Sequence, residues 1–167
     1  MIQFKTGDDD MKNKRILTSI ILVILCVFAL GGCGGSSSGQ SMSCTFSINC
    51  ADILDNMDKL DPAKTDIIPS DGVIYGEKTV EFTEGETVLD LIVRETRENK
   101  IHMEYESVPF AFVEGIANIY NADCGTLSGW TYTVNGVSPS YGCNEYILQD
   151  GDKVEWIFSC DVTKGYE

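Results

Sequence analysis

The chemistry open to this chain is concentrated in its cysteines, one histidine and a set of aromatic residues. Of seven cysteines, five lie beyond residue 40: Cys44, Cys50, Cys124, Cys143 and Cys160. No two of these are spaced as Cys-x-x-Cys, and the only histidine is His102. Neither a zinc site nor a thioredoxin-like redox centre is therefore expected. Outside the cytoplasm the natural use of such thiols is in disulfides. Cys124 and Cys143 flank a predicted hairpin and form the first expected pair. Cys50 and Cys160, on two strands that could lie side by side, form the second. Five is an odd number, so Cys44 is left over. Asp150-Gly151-Asp152 lacks the further carboxylates at alternate positions that a calcium loop needs. There is also no Gly-x-Ser-x-Gly elbow and no phosphate loop, so the chain is not expected to be an enzyme.

The aromatic residues offer binding rather than reaction. Trp130 and Tyr132 occupy alternate positions of one predicted strand and so face the same side. Such a pair fills a core or presents a flat face to a planar ligand. Asn135-Gly136 reads first as a turn, and Asn135 also belongs to the candidate ligand-binding set. Tyr141, Asn144 and Tyr146 border the following loop, where they could meet the amide edge of a ligand. Trp156 alternates with Val154 and Phe158 and reads as core, while His102, at a strand start, reads as a surface residue.

A different chemistry sits at Cys33. Met11 is followed by Lys12, Asn13, Lys14 and Arg15, then by a predominantly apolar run from Ile16 to Leu30. A basic start and about fifteen apolar residues fit a secretory signal, whereas a membrane-spanning helix needs roughly twenty. The run ends in Leu30-Gly31-Gly32-Cys33, which resembles the bacterial lipobox, where small residues admit the peptidase and the Cys thiol takes a diacylglycerol. Residues 1–32 are thus expected to be a signal peptide, with Met11 as the better start because Asp8, Asp9 and Asp10 are foreign to such a segment. The lipid on Cys33 would hold the protein to the bilayer on the outer face of the cell membrane. Residues 33–43, rich in Gly and Ser, read as a flexible tether.

Removing residues 1–32 takes away three of 26 acidic and four of 12 basic residues, leaving a net charge of −15. Such a surface repels nucleic acid and anionic headgroups, so neither is an expected partner. The remaining residues, 44–167, suit one domain.

The elements that must position these groups follow from periodicity. Cys44–Cys50 alternates as a strand. Asp52–Asp61 has helix-like spacing and stops at Pro62. A turn at Asp71-Gly72 leads to a strand over 80–82. Thr87 and Asp90 form a capping box for a helix carrying Val88, Leu89, Leu91 and Ile92. Strands follow at 101–105, 130–134 and 154–158; between them, 110–120 contains Gly115 and leads to a loop around Asp123-Cys124-Gly125, and 146–148 runs into the turn Gln149-Asp150-Gly151-Asp152. One helix packed across a mixed sheet gives an α+β domain, and a β-grasp arrangement, stabilised by disulfides, fits the order best.

Four strings then align with a known family. Glu84-Gly85-Glu86-Thr87-Val88-Leu89-Asp90, Val113-Glu114-Gly115-Ile116, Gly129-Trp130-Thr131-Tyr132-Thr133-Val134-Asn135-Gly136 and Leu148-Gln149-Asp150-Gly151-Asp152-Lys153-Val154-Glu155-Trp156 resemble the transcobalamin-like C-terminal domain. The resemblance runs roughly from Val80 to Cys160 and implies a β-grasp relative that binds a soluble ligand. Cobalamin or another corrinoid is the ligand it implies, bound as cargo rather than as a resident cofactor, with His102 as a conceivable axial ligand. The large helical domain that accompanies this module in the animal carriers has no counterpart here. Two readings result: a lipoprotein presenting a small molecule to an importer, or a cell-surface module that docks, adhesin-like, on a protein or glycan.

Overall fold

The computed structural model describes residues 41–108 and 110–166. The expected signal segment, Cys33 and most of the tether lie outside the described residues. The first strand, β1 (Met42–Asn49), begins two residues before Cys44 and is followed by β2 (Val73–Phe82) and the helix α1 (Val88–Glu98). Then come β3 (Met103–Glu106), β4 (Phe112–Ile116), β5 (Ile119–Tyr120), β6 (Gly129–Val134) and β7 (Lys153–Ser159). Four strands form one sheet in the order β2-β1-β7-β6, and β3-β4-β5 form a second. Within the first, β1 runs antiparallel to β2 but parallel to β7, and β7 is antiparallel to β6. First and last strands paired in parallel at the centre, with one helix against them, make the expected mixed β-grasp sheet.

Alternation decides which face is buried. Phe46 lies opposite Val154 and Ile48 opposite Trp156, while Trp130, Tyr132 and Val134 lie opposite Phe158, Trp156 and Val154. All of these are buried, whereas Thr45, Thr131, Thr133, Lys153 and Glu155 on the other face are half-covered. The apolar face thus carries the core. Tyr75 connects it to the helix: its ring meets Phe46 edge-on at 5.4 Å, and its hydroxyl donates to Glu95 Oε2 on α1 at 2.9 Å. Val88, Leu89, Leu91 and Ile92 of α1 enter the same core.

The helix starts as expected. Thr87 Oγ1 accepts from the Asp90 amide at 3.1 Å, and the Asp90 carboxylate accepts from the Thr87 amide at 3.0 Å. Elsewhere the sequence expectations shift. The helix-like stretch 52–61 forms only a 3-10 turn at Ala51–Asp55, and Pro62 opens a second 3-10 turn, Pro62–Ile67, capped by Asp61. Proline's fixed φ suits a first helical position, which is why Pro62 begins an element rather than merely ending one. The stretch 146–148 makes a single bridge, Ile147 to Thr87 at the helix start.

The five cysteines among the described residues are all buried, and none is bonded to another in this structure. The thiols in contact are those of Cys124 and Cys160, with Sγ atoms 2.8 Å apart. Neither Cys124–Cys143 nor Cys50–Cys160 is the pair brought together. Cys143 lies beside the start of α1, where its carbonyl accepts from the Leu89 amide, and Cys50 lies against the Gly72 turn. The reason is topological: the loop after β5 folds against the end of β7, a placement that alternation within single strands does not encode.

Candidate functional site

Two clefts bear on function. The larger, about 500 Å³, is polar and open, walled by Asp52, Asn56, Lys59, Leu127 and the Cys124–Cys160 pair. The smaller, about 170 Å³, is aromatic. It lies where edge strand β6 meets the start of β4 and the 138–143 loop, with Trp130, Tyr132, Trp156, Phe112 and Tyr141 in its walls.

The aromatic cleft follows from local rules. Tyr132 stacks on its cross-strand partner Trp156 at 5.5 Å with 28° between the planes, and Trp130 meets Phe158 edge-on at 5.3 Å. Cross-strand aromatic pairs of this kind fix both rings. The Tyr132 hydroxyl donates to the Tyr141 carbonyl at 2.9 Å, tying the strand to the loop that forms the far wall. Tyr141 then stacks on Tyr146 at 6.0 Å and 18°. The rim is apolar: Phe112 is 54% exposed and Tyr141 48%, with Phe110 at 78% and Val137 at 67% next to wall residues. The Trp156 Nε1–H is buried with no acceptor among the described residues.

Asn121, which sequence reasoning did not single out, holds the two sides together. Its Nδ2 donates to the Val113 carbonyl on β4 at 2.9 Å, and its Oδ1 accepts from the Trp130 amide on β6 at 2.9 Å. Gly129 leaves room for this, since a Cβ there would lie 2.7 Å from Asn121 Oδ1. A single Asn in a loop carries no local signal for such a bridge.

The expected binding set divides. Trp130, Tyr132 and Tyr141 line the aromatic cleft, and Tyr146 backs Tyr141. Asn135 is engaged elsewhere: it donates to Asp152 Oδ1 at 2.8 Å and accepts from the Lys153 amide at 2.9 Å. Asn135 and Gly136 have φ of 55° and 78°, the two positive values of a type I′ turn. Asn144 folds back over Gly142, where a Cβ would meet its Oδ1 at 2.7 Å. His102 is at the surface with Glu104 and Tyr120: its Nε2 lies 2.9 Å from Glu104 Oε1, which also accepts from the Tyr120 hydroxyl at 2.7 Å. These contacts, the tyrosine's first, hold the Glu104 carboxyl below its ordinary range.

Burial pushes the Tyr132 phenol well above its ordinary value, and that of Tyr75 up to about 12, with the Glu95 hydrogen bond adding to it. The fold therefore favours the neutral phenols. Their contribution to stability is complete below the unfolded tyrosine pKa near 10 and is lost as pH rises through about 12 for Tyr75. Alkaline titration should accordingly show tyrosinate absorbance from buried residues appearing together with loss of the circular-dichroism signal. Tyr75→Phe should weaken the pH dependence between those values. Ionisation of every tyrosine near pH ~10 with the fold intact would contradict this.

Fold and cleft define a small one-helix β-grasp domain with an aromatic cleft at a sheet edge. Residues 85–159 match the family model described as Domain of unknown function (DUF4430). The match falls on the strings that carry the resemblance to the transcobalamin-like C-terminal domain. Among solved structures, the chain is similar to that described as haptocorrin in complex with Cbi, at 16% identity and a TM-score of 0.47 over 71% of this chain. It spans 25% of the haptocorrin chain. It is also similar to a putative metal binding protein from Ruminococcus gnavus, at 16% identity and a TM-score of 0.41, covering 71% of this chain and 96% of that one. No curated protein matches the sequence.

Proposed function

We propose that this protein is an extracytoplasmic lipoprotein, held to the outer face of the membrane through Cys33, whose domain captures a soluble ligand for an importer. The observation that carries the reading is the aromatic cleft, with stacked, hydrogen-bonded walls and an apolar rim open to solvent. Preformed concavities with aromatic walls and a few fixed polar groups are a common form of ligand site. The family resemblance implies a corrinoid. At about 170 Å³ the cleft takes a side group of such a ligand rather than the whole of it, so the macrocycle would lie across Phe112 and Tyr141. The protein binds its ligand and does not transform it.

Both of the chain's tryptophans line this cleft, so intrinsic fluorescence reports on it directly. Titration with cobalamin or cobinamide should quench it saturably. Tyr141→Ala should weaken binding about 2- to 10-fold, the equivalent of one aromatic contact. No quenching at high micromolar ligand would remove corrinoids from consideration. Val108 and Phe110, 79% and 78% exposed, favour the second reading, a surface module docking on a protein or glycan. Saturable capture of such a partner, lost in Phe110→Ser, with no small-molecule binding, would establish it instead.

A further inference from the structure

We propose that Cys124 and Cys160 are the sites of a single disulfide in the mature domain, leaving Cys44, Cys50 and Cys143 as thiols. The two sulfur atoms already touch, at 2.8 Å, on the wall of the larger cleft. Three segments converge there. The Cys160 amide donates to Asp52 Oδ2 at 2.7 Å, and the Cys124 thiol donates to the Asn56 carbonyl at 3.5 Å. The Cys124 amide donates to Ser128 Oγ at 3.0 Å, and Ser128 also accepts at its carbonyl from the Ala122 amide. Backbone on both sides is thus fixed so that each thiol faces the other. Cys44, Cys50 and Cys143 have no sulfur contact of this kind among the described residues.

The chemistry is thiol–disulfide exchange with an exogenous disulfide, that of an oxidoreductase or a small molecule. The Cys160 thiolate attacks one sulfur of that disulfide, forming a mixed disulfide and expelling the first thiol. The Cys124 thiolate then attacks Cys160 Sγ, forming the intrachain bond and expelling the second. Two cysteine thiols are oxidised, the donor disulfide is reduced to two thiols, and the two protons end on those leaving groups. Burial and the Cys124 contact push the folded Cys160 thiol well above its ordinary value, which makes it a poor nucleophile once covered. The bond therefore forms during folding, before the end of β7 closes over the loop. It joins positions 36 residues apart and fastens the segment carrying Asn121, the residue that seats Trp130.

The full-length chain, reduced, denatured and refolded with oxidised glutathione, provides a test that does not depend on where the protein resides. After alkylation in denaturant without reductant, peptide mass mapping should find the Cys124 and Cys160 peptides joined, two hydrogens lighter than the separate reduced peptides. Cys44, Cys50 and Cys143 should carry the alkyl group. In Cys124→Ser, Cys160 should become fully alkylable, and in Cys160→Ser, Cys124 should, a readout made on unfolded protein that needs neither variant to fold. Predominant alkylation of Cys124 and Cys160 in the parent chain, or joining of either to Cys50 or Cys143, would overturn the assignment.

Discussion

Gly72→Ala should destabilise the domain by about 2–5 kcal/mol, read as a lowered urea midpoint or melting temperature. Two costs combine. Gly72 has φ of +71°, and an L-residue in that region costs roughly 1–2 kcal/mol. A Cβ there would also lie 2.5 Å from Ala51 Cα and 2.8 Å from Ala51 N. Those are backbone atoms that cannot rotate away, and overpacking of this kind adds about 1–3 kcal/mol. The approach is close because the Gly72 carbonyl accepts from the Cys50 amide at 2.7 Å, clamping the end of β1 to the start of β2. Gly85→Ala is the matched comparison: its φ is +86° but nothing lies within 4 Å of its Cβ position. Equal losses in the two variants would mean that the Ala51 contact yields easily, contrary to this account.

Cys33→Ala should abolish labelling of the protein by a fatty-acid analogue and leave the apolar leader uncleaved at that point. Each buried methylene of an acyl chain contributes about 0.8 kcal/mol, and one chain anchors only reversibly. The two chains of a diacylglycerol hold firmly, so deleting their attachment site removes the lipid anchor altogether. The measurement is fatty-acid labelling together with the size of the chain, which should shift up by the retained leader. Undiminished labelling of Cys33→Ala, or a leader still removed after Gly32, would contradict lipidation at this residue.

Several elements were legible because one face of the sheet is buried. Phe46 and Ile48, Trp130 to Val134, and Val154 to Phe158 alternate cleanly, and a two-residue period of that kind admits a half-buried strand and little else. Thr87 and Asp90 announced the helix through side-chain chemistry confined to one turn. Other elements escaped for physical reasons. Ala117 and Asn118 form the tight turn between β4 and β5 with φ of 52° and 64°, and Ala has no intrinsic preference for that region. Ile53, Leu54, Met57 and Leu60 have helical spacing, but the chain makes only a 3-10 turn over Ala51–Asp55, in which Ile53 is buried, and Met57 beyond it is left 39% exposed. In the cleft, Trp130, Tyr132 and Tyr141 could be nominated by type and position. Phe112 and Asn121 could not, because their roles depend on β4 lying against β6, a long-range packing that no local pattern records.

The parallel seam between β1 and β7 also governs when this domain can form. Its contacts join the two extremes of the fold: Thr45 to Asn49 lie opposite Lys153 to Ile157, 108 residues further along the chain. Non-local pairings of this kind fold slowly, because a long loop must close before any contact rewards it. A chain threaded across a membrane from its N-terminus would present β1, with Phe46 and Ile48 unpartnered on one face, well before β7 emerged. Until then β2 and α1 have only half a sheet to cover, and the half-formed edge is open to aggregation. Secretion speed and any chaperone waiting outside would then set the yield of this protein as much as its final stability does.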